Sequence, residues 1–206
     1  MNITNGTKGV RGMKLLWLDT ETTGLNKEKC DIVQIAGIVV IDGEEKERFN
    51  LFSQPVNWEN IEQGALETTG MTIEKLKTFP MPQETYANFK KILDKYINKY
   101  DKDDKFYIAG HNVQFDLDFC KLLFQKQGDK YFFSYFKHQT VDLMSLATIL
   151  HTANLIYTKS FKLEDIAKCL NIECNKELHD ASVDIDITRK CFCKLVSRFV
   201  RFDESE

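Results

Sequence analysis

The sequence predicts an α/β domain, and three observations carry that expectation. A short apolar run beginning at Lys14 ends in two carboxylates, Asp19 and Glu21, and reads as a buried strand. Two more strand-like runs follow, over residues 32–41 and 46–53. The polar turn Asp42-Gly43-Glu44 joins them so tightly that the three strands form an antiparallel meander. Beyond Pro55, strand-like segments at residues 106–110 and 139–142 each lead into an amphipathic helical stretch.

Taken in order, residues 22–29 are a loop, and residues 58–77 are two short helical pieces interrupted around Thr69-Gly70. Pro80 and Pro82 precede a helix on which Tyr86, Phe89, Leu93, Tyr96, Ile97 and Tyr100 share one face. Burial statistics make those aromatics core rather than a base-stacking surface. Residues 101–105 are a charged connector. On the helix that follows His111-Asn112-Val113-Gln114-Phe115-Asp116, Asp116 falls on the side of Cys120, Leu123 and Phe124, and Asp118 falls opposite. An inward aspartate in a first turn reads either as a cap or as a ligand. Helices are expected again from residue 142 to 150, over 161–170 and over 180–199. On the last, Asp184 lies with Ala181, Ile187, Cys191 and Leu195, and Asp186 lies opposite.

The chain has 206 residues, enough for one domain with a sizeable core, and 29% charged residues beside 43% hydrophobic ones is an ordinary soluble balance. A net charge of −3 excludes a global positive field, so a polyanionic partner would be held by cations and local basic surface. The six cysteines lack zinc-ribbon spacing and mostly fall in apolar helical patterns, which points to reduced, buried thiols in a cytoplasmic protein. No apolar window is long enough to span a membrane. Residues 1–12 are polar and Gly-rich, without a signal-peptide core, and read as a disordered leader. Residues 201–206 read as a short acidic tail, which leaves little to tether a partner.

Side chains two apart on a strand share a face, so Asp19 and Glu21 project together. Two like charges at the end of an apolar strand repel and are costly to desolvate unless a cation sits between them. Oxygen-only ligands favour hard divalent ions, Mg²⁺ or Mn²⁺. The same Asp-x-Glu spacing at Asp42-Gly43-Glu44 has no apolar strand leading into it and serves as a turn. His179 stands five residues before Asp184, and alone it reads as a histidine at a helix start.

The ordered set Asp19-x-Glu21, inward Asp116, His179-x₄-Asp184 resembles the DEDDh 3′→5′ exonucleases of the RNase H-like superfamily. Thr22-Thr23-Gly24-Leu25 continues the first motif as in the polymerase III epsilon-like branch. Thr69-Gly70-Met71-Thr72 departs from the His-Gly-Ile-Thr usual there and leaves the acidic set intact. The resemblance implies a mixed five-stranded sheet flanked by helices, with the exonuclease domain covering residues 13–200. It also implies two Mg²⁺ or Mn²⁺ ions held by Asp19, Glu21, Asp116 and Asp184, with Asp19 bridging, and His179 as general base. By the same resemblance, Thr20, Thr22, Leu25 and Asn112 seat the terminal nucleotide, and the product is a nucleoside 5′-monophosphate. DNA 3′ ends in proofreading or repair are the expected substrate, with a polymerase as a possible surface-docked partner. An exoribonuclease of the same fold and a non-catalytic nucleic-acid-binding module are the alternatives.

Overall fold

The structure, a computed structural model, describes residues 12–174 and 179–199. The acidic tail expected at 201–206 lies outside those residues, as does the expected leader apart from Gly12. Five strands form one sheet in the order β3-β2-β1-β4-β5. β1 (Lys14–Thr22), β2 (Ile32–Ile41) and β3 (Glu44–Phe52) are the antiparallel meander. The turn between β2 and β3 places Asp42 at φ 53 and Gly43 at φ 82, the paired left-handed geometry that suits a two-residue hairpin. β4 (Phe106–Gly110) and β5 (Phe136–Asp142) then add parallel to β1 and to each other.

β5 begins at Phe136, three residues before the apolar pattern places it, because Phe136 pairs with Phe106 at the start of β4. Gly110 ends β4 where a Cβ would lie 2.8 Å from the Leu18 carbonyl oxygen, so only glycine lets β4 close on β1 there.

Helices cover both faces of the sheet, and alternation along β1 divides its side chains between them. Leu16 and Leu18 enter one core with α3 (Pro82–Tyr96) and α4 (Val113–Lys126). Trp17 enters another with Ile185 and Phe192 of α7 (Ala181–Phe199). Phe124 of α4 packs against the rings of Tyr86, Phe89, Phe132 and Tyr135 at centroid distances of 5.1, 6.3, 5.1 and 6.1 Å. Pairs of that kind contribute about 0.5–1.5 kcal/mol each beyond area burial, which anchors α4 and the residues on its buried stripe. α5 (Leu143–Thr152), α6 (Leu163–Cys169) and α7 share a third cluster. The interrupted stretch before α3 is a 3₁₀ turn at Trp58–Asn60, α1 (Gln63–Thr69) and α2 (Ile73–Leu76), with Gly70 closing α1 at φ 63.

Two expectations need correction. Tyr100 is 88% exposed rather than core, because α3 stops at Tyr96 and Ile97 turns extended, so the helical stripe no longer governs residue 100. All six cysteines are free, but Cys169, Cys174 and Cys193 are partly exposed and only Cys30, Cys120 and Cys191 are buried. No helix among the described residues is long and apolar enough to cross a membrane.

Candidate active site

The C-terminal half of β1 carries Asp19 and Glu21 on the face that Trp17 presents to α7. Trp17 meets Phe192 edge-on at 5.4 Å, which seats α7 along β1. In the first turn of α7, Asp184 lies on the stripe of Ile187, Cys191 and Leu195, all buried. The result is one acidic group: ligand oxygens of Asp19, Glu21 and Asp184 lie within 4.8 Å of one another. Asp186, on the opposite side of α7, is held by Arg48 at 2.8 Å through both oxygens.

Asp116 reaches the site from the other face of the sheet and stands outside that group of three. It is 3% exposed, and its Oδ1 accepts from the Thr20 amide at 2.8 Å and the Thr20 hydroxyl at 2.7 Å. α4 thereby clasps β1 at the residue between the two strand carboxylates. Asp118 points away and pairs with Lys27 at 2.7 Å and Gln114 at 3.0 Å.

His179 is exposed, in the left-handed region at φ 79, and its backbone N–H donates to Asp184 Oδ2 at 3.2 Å. Asp184 Oδ1 is buried with no partner among the described residues.

Of the residues expected at a nucleotide seat, Thr20 has both its donors committed to Asp116. The Thr22 hydroxyl donates to the Gly24 carbonyl at 2.8 Å and shapes the turn. Leu25, on that turn, is 80% exposed. Asn112 is exposed in the left-handed region at φ 57 and donates its amide to Asp142 Oδ1 at 2.8 Å.

Crowded charge and burial govern the electrostatics. Burial first, then the charges of Asp116, Glu21, Asp184 and Asp180, hold the Asp19 carboxyl well above its usual value. Burial and the Asp184, Asp116 and Asp180 charges push Glu21 to about 8. Burial pushes Asp116 to about 7 against the lowering effect of the Thr20 bonds. Burial also raises Asp184, opposed by the His179 amide and imidazole. Without a cation, these groups are eased only by taking up protons. Three converging carboxylates and an unpartnered buried oxygen on Asp184 fit a hard divalent ion, because all the donors are oxygen.

This arrangement makes stability depend on pH and on cations. Glu21 and Asp116 titrate higher in the folded chain than in the unfolded one, so between about pH 4 and 8 the folded state binds more protons. Their stabilising contribution is present below the unfolded values and is lost as pH rises through 7 and 8. In EDTA, the melting temperature should fall as pH rises from 5 to 8.5. At pH 8, Mn²⁺ at a hundred times its Kd should restore about 2.7 kcal/mol, roughly 5–10 °C for a chain this size. Asp19→Ala should respond much less, and equal Mn²⁺ responses in variant and wild type would contradict a shared site.

The residue-level reading missed Asp180 and Gln34. Asp180 carries the charge that appears beside Asp19, Glu21 and Asp184, and Gln34 donates to it at 3.0 Å. Each had a signal: an Asp directly before a helix, and a lone amide within the apolar run of β2.

The mixed sheet, with carboxylates gathered at its end, has the form of a nuclease-type site. Residues 16–192 match the model of the exonuclease family, and the chain belongs to that family. The order of its acidic residues and histidine is in keeping with a DEDDh-type member of that family. It is 28% identical over 180 residues to the DNA polymerase III PolC-type of Staphylococcus haemolyticus, covering 87% of this chain and 11% of that one. The PolC-type polymerase of Halalkalibacterium halodurans is 26% identical over 178 residues, with coverages of 86% and 11%. The chain thus spans about a tenth of the length of these curated relatives. E. coli Exonuclease I in complex with a dA16 oligonucleotide shares the fold, with TM-score 0.73, 21% identity, and coverage of 90% of this chain and 41% of that one. Its zinc-bound complex with single-stranded DNA gives TM-score 0.75 and 22% identity, with coverages of 91% and 41%.

Proposed function

We propose that this chain removes nucleotides one at a time from DNA 3′ ends, single-stranded or mismatched, releasing nucleoside 5′-monophosphates. The observation that carries the proposal is the Asp19–Glu21–Asp184 group with its unpartnered oxygen. Asp19, Glu21, Asp116 and Asp184 would hold two Mg²⁺ or Mn²⁺ ions, and the charges of the other three all bear on Asp19. When bound, the ions supply positive charge to the in-line displacement at phosphorus.

The chain's own residues do the rest. An imidazole nitrogen of His179 accepts the proton of the attacking water, whose oxygen bonds to phosphorus while the bond to the 3′ oxygen breaks and that oxygen takes a proton from solvent. Leu25 and Asn112, both exposed, contact the terminal nucleotide. Thr20 and Thr22 serve it indirectly, by holding the strand end and the turn. Residues 13–200 form the exonuclease domain, in keeping with a family match over 16–192.

The polymerase relatives and the DNA complexes of Exonuclease I support DNA over RNA, a role in replication or repair, and surface docking onto a polymerase. Six free thiols support a reducing, cytoplasmic setting. Matched DNA and RNA oligomers digested side by side test the substrate. Faster release from DNA is expected, and preference for RNA would overturn that part of the reading.

A further inference from the structure

Gln34 is the third residue of the apolar strand β2 and is 0% exposed. It pairs with Glu21 across the β1–β2 ladder, and directly opposed residues share a face, so its amide lies beside that carboxylate. Its Nε2 donates to Asn50 Oδ1 of β3 at 2.9 Å and to Asp180 Oδ1 at 3.0 Å. Its Oε1 is buried without a partner among the described residues. The Asp180 carboxylate decides the amide's orientation, since a flip would press Oε1 against an oxygen that only accepts. A buried acceptor left without a donor is costly. Leucine or valine would fill a place in this apolar strand without that cost. Packing therefore does not account for Gln34, and its two donations do.

Asp180 is the residue from which α7 starts. Its carbonyl accepts from the amides of Val183 at 2.9 Å and Asp184 at 3.0 Å. Its Oδ1 also accepts from the Ser182 amide at 2.9 Å and the Ser182 hydroxyl at 2.6 Å. A path of two residues thus leads from the start of β2 to Asp184. On the other side of Asp180, His179 holds an uncommon backbone geometry at φ 79.

We propose that Gln34 is a positioning residue: acting through Asp180, it pins the first turn of α7 to the sheet and sets Asp184 against Glu21 and Asp19. This rests on the reading of those three carboxylates as a cation site. The test is Mn²⁺ binding by calorimetry at pH 8, without substrate, for wild type, Gln34→Leu, Asp180→Ala and the double variant. Gln34→Leu should weaken Mn²⁺ binding about 10–100-fold, the usual cost of removing a group that orients a ligand. Asp180→Ala should match it, and the double variant should bind no worse than either single, because both act on one path. Asp180→Asn, which keeps an acceptor oxygen, should retain most of the affinity.

Melting in EDTA checks that each variant is folded. If Gln34→Leu does not fold, the partly exposed Asp180→Ala and its Asn counterpart carry the test. Mn²⁺ affinity within twofold of wild type in the folded single variants would overturn the proposal, as would losses that multiply in the double variant. A wild type that binds no Mn²⁺ would overturn the cation-site reading and this inference together. Binding by wild type with unchanged affinity in the variants overturns this inference alone.

Discussion

Asp116→Asn and Asp184→Asn are each expected to slow nucleotide release by about 10³-fold, because several kcal/mol of charge stabilisation would depend on the ions these groups are proposed to hold. The substitution keeps the shape of the side chain and removes its charge. In Asp184→Asn the side-chain oxygen can still accept from the His179 amide, and in Asp116→Asn it can still accept from Thr20, so the local fold has little reason to change. Asp118→Asn and Asp186→Asn form the internal control. Asp118 faces Lys27 and Gln114, and Asp186 faces Arg48, all away from the acidic group. Exposed ion pairs contribute about 0–1 kcal/mol, so these two variants should stay within about threefold of wild type. Steady-state release from a labelled single strand at saturating Mg²⁺ reads all four. Equal losses would mean that the two helix faces are not functionally distinct.

His179→Ala is expected to slow single-turnover release by about 10²–10⁴-fold while Mn²⁺ binding persists, the range for loss of a general base. The ring is exposed, so its removal should change stability by about 0.5 kcal/mol or less. The backbone adds a complication, because alanine at φ 79 is strained and the His179 amide supports Asp184. His179→Gly removes that strain and serves as the control. Both variants should lose activity alike if the imidazole is the working part, and glycine should rescue if backbone geometry is. The imidazole is the part that accepts a proton from water, so both variants should lose the share of the wild-type rate that the ring supplies. Superimposable rates would remove His179 from the mechanism.

Periodicity made most of this architecture legible. Strand alternation put Asp19 and Glu21 on one face, and helical registers separated Asp116 from Asp118 and Asp184 from Asp186. Each of those inferences needs one element and its period. What remained hidden depends on two elements at once. Thr20 is committed to Asp116 because α4 crosses β1 there, so the four carboxylates do not form one even cluster: three gather, and the fourth is clamped from the far side of the strand. Gln34 matters through its registry with Glu21 and its reach to Asp180, and neither follows from its place in an apolar run. Tyr100 failed for a different reason, because its helical stripe was extended past the point where Ile97 leaves the helix.

The central claim is that the acidic end of β1 and α7 holds divalent ions that act on a DNA 3′ end. The most direct measurement is digestion of a 5′-labelled single-stranded DNA with Mg²⁺ or EDTA, run for wild type and Asp19→Ala. A ladder of products shortening from the 3′ end is expected for wild type with Mg²⁺, and full-length strand is expected with EDTA or with Asp19→Ala. Shortening that persists in EDTA or in Asp19→Ala, or a wild type inert with Mg²⁺ and Mn²⁺, would contradict the account.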